Sequence, residues 1–249
     1  ADFQLEHDTE RATRVIESCL QQGRTYLGEL DSVEILKSYG FNTLPGSLAR
    51  SSNEAVQIAA EIGYPVALKI VSPQIIHKTD AGGVRIDLKD EVQVAAAFDA
   101  IISNAGAFDA KAEISGVLVQ KMAPSGYEVI LGMHRYPVFG PLLMFGLGGV
   151  FVEVFKDVVF RLAPVDRSSA MRMVTGIQAA RLFSGYRGKP EADIAEIERL
   201  IVCLSDLAMR HPEILELDVN PLLVHEKGRG ATVADCRIIL KSPEMPKQP

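Results

Sequence analysis

Residues 63–84 read GYPVALKIVSPQIIHKTDAGGV. Their first part, Pro65 to Val71, is a short apolar run of the kind that forms a buried strand. A polar loop follows, and Val84 to Leu88 (VRIDL) then alternates apolar with polar residues, as a half-exposed strand does. The stretch predicts a strand–loop–strand unit with a lysine in its first strand and a histidine in its loop.

Helical patterns flank this unit on both sides. Apolar residues recur at helical spacing over 10–21, and Asp31 is expected to cap a helix over 32–39. Ser51, with Glu54 three residues later, forms the capping box of a third helix. After an alanine-rich helix over 91–104, the pattern predicts strands at 116–122, 127–133, 141–146, 150–155 and 158–163, helices at 167–183 and 193–210, and strands at 215–224 and 232–240.

The fold class follows from the lengths of the connections. The loops between the middle strands are too short for the crossovers of a parallel sheet, so we expect largely antiparallel pairing. The sequence therefore predicts an α+β protein of two lobes, an N-terminal lobe over 1–110 and a C-terminal lobe over 111–249.

Composition excludes several classes of function. The chain of 249 residues has a net charge of -6 and a pI near 5.5, which leaves no basic excess for nucleic acid or for an anionic membrane. No apolar run reaches the roughly 20 residues that span a bilayer. Cys19, Cys203 and Cys236 form neither a disulfide framework nor a zinc signature, so we expect a reducing cytoplasm.

The strand–loop unit holds two candidate functional side chains. Lys69 lies in the apolar strand, where its ammonium either reaches solvent or forms a fixed cation over a ligand phosphate. His77 precedes Lys78 and the run Asp80-Ala-Gly-Gly. A neutral imidazole is nucleophilic and accepts a phosphoryl group, whereas the alternative is an ordinary surface turn with an incidental histidine.

Polar side chains near the C-terminus suggest a metal site. Asp218 and Asn220 are two residues apart in a predicted strand, so their side chains share one face, and Asp235 can join them from the next strand. Carboxylate and amide oxygens suit Mg²⁺, although the same residues are common turn formers at strand ends. Glycines in FGLGGV, residues 145–150, either expose backbone amides to a phosphate or form a tight hairpin.

Four ordered segments together resemble a known family. Residues 63–84, 128–165 (EVILGMHRYPVFGPLLMFGLGGVFVEVFKDVVFRLAPV), 183–194 (FSGYRGKPEADI) and 215–224 (LELDVNPLLV) are similar to the ATP-grasp module of NDP-forming acyl-CoA synthetases. The resemblance covers the chain after about residue 25 and is strongest to the β subunit of ADP-forming acetate–CoA ligases. It implies an ATP-grasp fold, with ATP or ADP and Mg²⁺ bound between the two lobes.

The resemblance also implies roles for single residues. Lys69 matches the lysine that contacts nucleotide phosphates, and His77 matches the loop histidine that carries a phosphoryl group. Asn220 and Asp235 match the Mg²⁺ ligands, and Asp218 matches a family acidic position. The remaining matches are the adenine hinge Gln120, Lys121 and Met122, where many relatives have Glu in place of Lys121, and the family positions Glu128, Gly148, Gly149 and Arg161.

The implied reaction is incomplete within this chain. The phosphoryl group passes from an acyl phosphate to a histidine on a partner, then to His77, then to ADP, and the loop moves on hinged ends at Pro73 and Gly82–Gly83. The partner is a CoA-binding, phosphohistidine-bearing α subunit or fused domain. Two alternatives remain: an ATP-grasp carboxylate–amine ligase, and an ATP-grasp-like regulatory domain of a protein acetyltransferase.

Overall fold

A computed structural model of the chain describes residues 6–148, 157–185, 188 and 190–242. Its helices are α1 (Thr9–Gln21), α2 (Glu29–Ser38), α3 (Ser52–Ile62), α4 (Glu91–Phe108), α5 (Arg167–Gly176) and α6 (Ile194–Arg210), with a 3₁₀ helix at Gln178–Ser184. Its strands are β1 (Tyr26–Leu27), β2 (Gly46–Ala49), β3 (Val66–Val71), β4 (Val84–Leu88), β5 (Gly116–Lys121), β6 (Tyr127–Tyr136), β7 (Gly140–Leu147), β8 (Val158–Leu162), β9 (Ile214–Val224), β10 (Ala231–Val233) and β11 (Cys236–Leu240). The strand predicted at 150–155 lies outside the described residues.

The chain divides into two compact units, and their bounds differ from the predicted lobes. One unit is Leu44–Ala123, and the other combines Ala1–Thr43 with Pro124–Pro249. The predicted boundary at residue 110 falls inside the smaller unit, because β5 pairs with β2 and β3. The first two helices belong to the larger unit, since the short strand β1 between them pairs with β11 near the C-terminus.

The smaller unit is a four-stranded antiparallel sheet with helices α3 and α4. The strand order is β2-β5-β3-β4, and the largest helix, α4, presents its apolar residues at helical spacing. These residues, together with alternate residues of β3 and β5, form one buried core: Val94, Ala97, Phe98, Ile101, Ala105, Val66, Leu68, Ile70, Val117 and Val119. The other face of β3 and β5 carries Lys69 and Gln120.

The larger unit is a seven-stranded antiparallel sheet with one helix-covered face. The strand order is β1-β11-β9-β6-β7-β8, with β10 beside β9. Because strand residues alternate between faces, odd-numbered residues of β6 and β7 enter the core, which holds Phe145 and Phe183 fully buried. In β9 the alternation changes phase: Leu217 and Val219 enter the core, and after Pro221 Leu222 and Val224 do so. Even-numbered residues of β6 and β7 form the opposite face, together with Asp218 and Asn220 of β9.

Local sequence signals set some helix ends and not others. The serine half of the capping box is confirmed, since the Ser51 hydroxyl accepts the Glu54 N–H at 3.2 Å, whereas the Glu54 carboxylate accepts the N–H of Arg50 at 2.7 Å. The prediction that Asp31 caps α2 is wrong: the helix begins at Glu29 after Gly28, and Asp31 pairs with Arg24 instead. No helix among the described residues is both long and apolar enough to cross a membrane.

Two other predicted elements are interrupted. The helix predicted at 167–183 ends at Gly176, because the Asp157 carboxylate accepts the N–H groups of Gln178 and Ala179 and starts a separate 3₁₀ helix. The strand predicted at 232–240 breaks after Val233 and resumes at Cys236. Strands β1 and β2, two and four residues long, are absent from the prediction because so short a run has no detectable period.

Candidate functional site

His77 begins a single helical turn between β3 and β4. The Gly83 N–H donates to the Lys78 carbonyl at 2.7 Å, and the Gly82 N–H donates to the Thr79 carbonyl at 3.0 Å. Gly82 has φ +62°, so this pair of bonds is the Schellman arrangement that closes a helix with a left-handed residue. A glycine is needed there because other side chains are strained in that conformation.

The turn presents His77 to solvent while its two ends are fixed. Ile75 and Ala81 are buried in the core of the smaller unit, whereas His77, Thr79 and Asp80 are exposed. A Cβ atom on Gly83 would lie 2.4 Å from Cγ2 of Ile70, so this residue is packed tightly against β3. Movement of the loop on hinged ends at Pro73 and Gly82–Gly83 stays a prediction.

Lys69 lies on the strand that leads into this turn. Its Cα is paired with Val84 of β4 and with Leu118 of β5, so it is in register with the residue directly after the turn. Its side chain is half-buried and points away from the helix-covered core, because the adjacent Leu68 and Ile70 both enter that core. Its face of the sheet also carries Gln120, which is buried.

The predicted adenine hinge has its backbone donors already in use. The Lys121 N–H donates to the Pro45 carbonyl at 2.9 Å, and the Met122 N–H donates to the Pro65 carbonyl at 3.3 Å. The Lys121 ammonium donates to the carbonyls of Gly63 at 2.6 Å and Tyr64 at 3.2 Å. Lys121 therefore closes the C-terminal end of α3, where unpaired carbonyls favour a cation.

We expect Lys121→Met to lower the free energy of unfolding by about 2 kcal/mol, because two backbone carbonyls lose a charged donor. Nucleotide affinity should stay within about twofold, since the ammonium faces α3. Urea unfolding and titration calorimetry measure the two effects. The exposed Lys111 of the same unit provides the control, and Lys111→Met should change stability by less than about 0.5 kcal/mol. A large loss of affinity with unchanged stability would show that Lys121 contacts the nucleotide instead.

The candidate metal ligands come from neighbouring segments of the larger unit. Asp218 and Asn220 both lie on β9, and the Asn220 N–H donates to the Asp235 carbonyl at 3.0 Å. Asp235 occupies the break between β10 and β11, where its carboxylate accepts the N–H of Cys236 at 2.9 Å. Arg237 stands opposite Asp218 on β11, with 3.6 Å between Nε and Oδ2.

Charges of both signs lie beside Asp218 in this cluster. Burial raises the pKa of Asp218; nearby Arg237 opposes the rise and Asp235 adds to it. Within the described ranges, no three His, Cys, Asp or Glu side chains are arranged to hold a metal. A carboxylate–amide set nevertheless fits Mg²⁺, which keeps several waters and takes few protein ligands.

A cavity of about 360 Å³ opens on the same face. One side of it is apolar and the other polar: its lining includes Ile130, Leu142, Met144 and Phe160, and also His134, Glu216, Asp218, Asn220 and Arg237. Met144, Phe160 and Arg237 were not predicted from the sequence, although the alternation along β7, β8 and β11 places them on this face. Such a cavity suits a ligand with a flat apolar part and an anionic, metal-bound part.

The remaining predicted positions are structurally varied. Glu128 is exposed at the start of β6, and its carbonyl accepts the Gly148 N–H at 2.8 Å. A Cβ on Gly148 would lie 3.1 Å from Cβ of Glu128, so the close approach of the strands explains this glycine. Its N–H is paired within the sheet, and Gly149 lies outside the described residues. Nε of Arg161 is buried and has no hydrogen-bond partner in the part of the chain that the structure describes.

Comparison with known proteins identifies similar chains. The model of the ATP-grasp domain family matches residues 18–240. The β subunit of acetate–CoA ligase [ADP-forming] I from Pyrococcus furiosus is 44% identical over 230 residues, which are 92% of this chain and 98% of that subunit. Acetate–CoA ligase [ADP-forming] I from Archaeoglobus fulgidus is 45% identical over 239 residues, 96% of this chain but 34% of that protein. The chain thus spans about a third of the single-chain relative.

A solved structure has the same fold. The acetyl-coenzyme A synthetase 1 of Ca. Korarchaeum cryptofilum, in complex with coenzyme A and Mg-AMPPCP, has a chain that superposes with a TM-score of 0.80 at 40% identity. The match covers 92% of this chain and all of that one, and the described complex has a phosphohistidine segment pointing towards the nucleotide binding site.

Proposed function

Since the chain belongs to the ATP-grasp family, as the β subunits of ADP-forming acetate–CoA ligases do, we propose that it is the nucleotide-binding part of an ADP-forming acyl-CoA synthetase. The complete enzyme would convert an acyl-CoA, ADP and phosphate into the free acid, CoA and ATP. The observation that carries this proposal is His77, an exposed imidazole on a turn whose ends are fixed in the protein.

His77 would act as a phosphoryl carrier. One of its ring nitrogens attacks the phosphorus of a phosphohistidine on the partner, and the partner's P–N bond breaks as the new one forms. A terminal oxygen of ADP then attacks the same phosphorus and the P–N bond to His77 breaks, releasing ATP and the neutral imidazole. An exposed imidazole suits this role, because it must meet two different reactants.

The open face of the larger sheet would bind the nucleotide. Its apolar side, with Met144 and Phe160, fits a base, and its polar side fits phosphates. Asn220 and Asp235, with Asp218 beside them, would hold Mg²⁺, which when bound neutralises phosphate charge. Lys69 stays the proposed phosphate-contacting lysine, because it matches the family's position for that residue. The complex of the similar Korarchaeum protein with Mg-AMPPCP supports the binding of a Mg-nucleotide by this chain.

A partner is part of the proposal. The single-chain Archaeoglobus relative is about three times as long as the segment that this chain matches, whereas the Pyrococcus relative is a separate β subunit. We expect the CoA site and the first phosphohistidine to lie on an α subunit or on fused domains. We also expect this enzyme to work in the cytoplasm, where CoA esters and nucleotides are available.

Incubation of the purified chain with Mg²⁺ and γ-labelled ATP tests the proposal. Phosphohistidine is labile in acid and stable in alkali, so we expect protein-bound label with that stability. If ATP binds and no label forms even with the partner present, the shuttle is refuted. That result would favour a carboxylate–amine ligase or a regulatory domain, neither of which needs a phosphorylated histidine.

A further inference from the structure

The carbonyl of Gly82, at the C-terminal end of the His77 turn, is held by side chains outside the turn. Nδ2 of Asn104, on α4, donates to it at 3.1 Å, and Nη1 of Arg85 donates at 3.3 Å. We propose that Asn104 is a positioning residue for His77. It fixes the end of the turn through Gly82 and so sets where the imidazole is presented. The effect on catalysis rests on the proposed function of His77, whereas the hydrogen bond from Asn104 to Gly82 does not depend on it.

The contact is built closely around glycine. A Cβ on Gly82 would lie 2.8 Å from Nδ2 of Asn104, so any larger residue would displace the amide. In the Schellman bonds Gly82 and Gly83 donate their N–H groups to the carbonyls of Thr79 and Lys78. The Gly82 carbonyl takes no part in these two bonds. Without the Asn104 amide, Arg85 would be the remaining side-chain donor to the Gly82 carbonyl within the smaller unit.

The opposite end of the segment is held differently. Ile75 is buried in the core, and Oε1 of Gln74 accepts the Glu113 N–H at 3.1 Å. Between Ile75 and Ala81, only Lys78 is partly buried, and the other side chains face solvent. Packing therefore fixes the start of the segment, whereas the Asn104 hydrogen bond is the polar tie from a helix to its end. Removing the Asn104 donor should loosen the turn and leave the fold intact.

Two substitutions separate the hydrogen bond from simple packing. Asn104→Ala removes the donor and volume, whereas Asn104→Asp keeps the shape but places a second acceptor against the Gly82 carbonyl. Loss of one hydrogen bond from a side chain to a backbone carbonyl corresponds to about a fivefold change in an opening equilibrium. Asn53→Asp is the control, because Asn53 is exposed on α3 of the same unit and undergoes the same change of charge.

Hydrogen exchange of the intact protein provides the first measurement. We expect the amides of Ala81, Gly82 and Gly83 to exchange about fivefold faster in Asn104→Ala and at least as fast in Asn104→Asp. Exchange in β3 and β5 should stay as in the unmodified protein. If Asn104→Asp exchanges like Asn53→Asp, the amide is not a tie and the proposal is wrong.

Turnover with the partner provides the second measurement. We expect kcat to fall about fivefold in both Asn104 variants with the KM for ADP unchanged, because His77 is misplaced while the nucleotide face is intact. Faster exchange with unchanged kcat would overturn the positioning role. Should His77 carry no phosphate even in the unmodified protein, the proposed function fails, and hydrogen exchange alone still decides whether Asn104 holds the turn.

Discussion

His77→Ala should lower turnover of the complete enzyme by at least about 10⁴-fold while nucleotide affinity stays within about twofold. A covalent carrier has no substitute in the turn, because residues 78–83 include no second imidazole. The proposed nucleotide-binding face is built from other side chains, and the substitution alters none of them. Coupled ATP synthesis and titration calorimetry give the two quantities.

Thr79→Ala is the matched control for this experiment. Thr79 is exposed in the same turn and contributes its backbone carbonyl to the bond with Gly82. We expect its replacement to cost less than about threefold in turnover, as an exposed truncation does. If His77→Ala kept normal turnover with the partner present, a phosphoryl shuttle through His77 would be excluded.

Asp235→Asn should weaken the apparent affinity for Mg-nucleotide by roughly 100-fold. Asparagine keeps an oxygen that accepts the Cys236 N–H, so the break between β10 and β11 is preserved. Only the negative charge is lost, and Mg²⁺ prefers an anionic oxygen beside the neutral amide of Asn220. The effect is measured by titrating Mg²⁺ at a saturating concentration of a nucleotide analogue.

Excess metal should partly restore the Asp235 variant. Raising free Mg²⁺ in the millimolar range compensates a weakened ligand set by mass action, whereas it has no effect on a misfolded site. Asp99→Ala, at an exposed position of α4, provides a control that should bind normally. An Asp235→Asn protein with unchanged Mg²⁺ dependence would remove Asp235 from the proposed metal site.

Much of the candidate site could be predicted from local sequence. Alternation along β9 places Asp218 and Asn220 on one face, and the structure has both on the open face of the sheet. Turn chemistry in the run Ala81-Gly-Gly likewise predicts a glycine with positive φ, which Gly82 adopts. These signals depend on neighbouring residues in the chain, so a single sequence contains them.

Long-range partners could not be predicted in this way. Lys121 resembled a substituted hinge residue, yet its ammonium binds carbonyls 57 and 58 residues earlier. The boundary between the units was placed at residue 110, because no local pattern shows that β5 pairs with β2 and β3. Asn104 gave no signal at all, since its partner, Gly82, lies 22 residues away.

The sequence by itself determined the family, the strand faces and the chemical groups: an imidazole, a strand lysine and an oxygen-rich pair two residues apart. Only the tertiary structure decided which of these groups are brought together. The last predicted strand is interrupted at Asp235, whose carbonyl accepts the Asn220 N–H, and the Asn104 amide donates to the carbonyl of Gly82 at the end of the His77 turn. Periodicity in the sequence indicates which face of a helix or strand is buried. Which other element packs against that face depends on the surfaces of the whole chain.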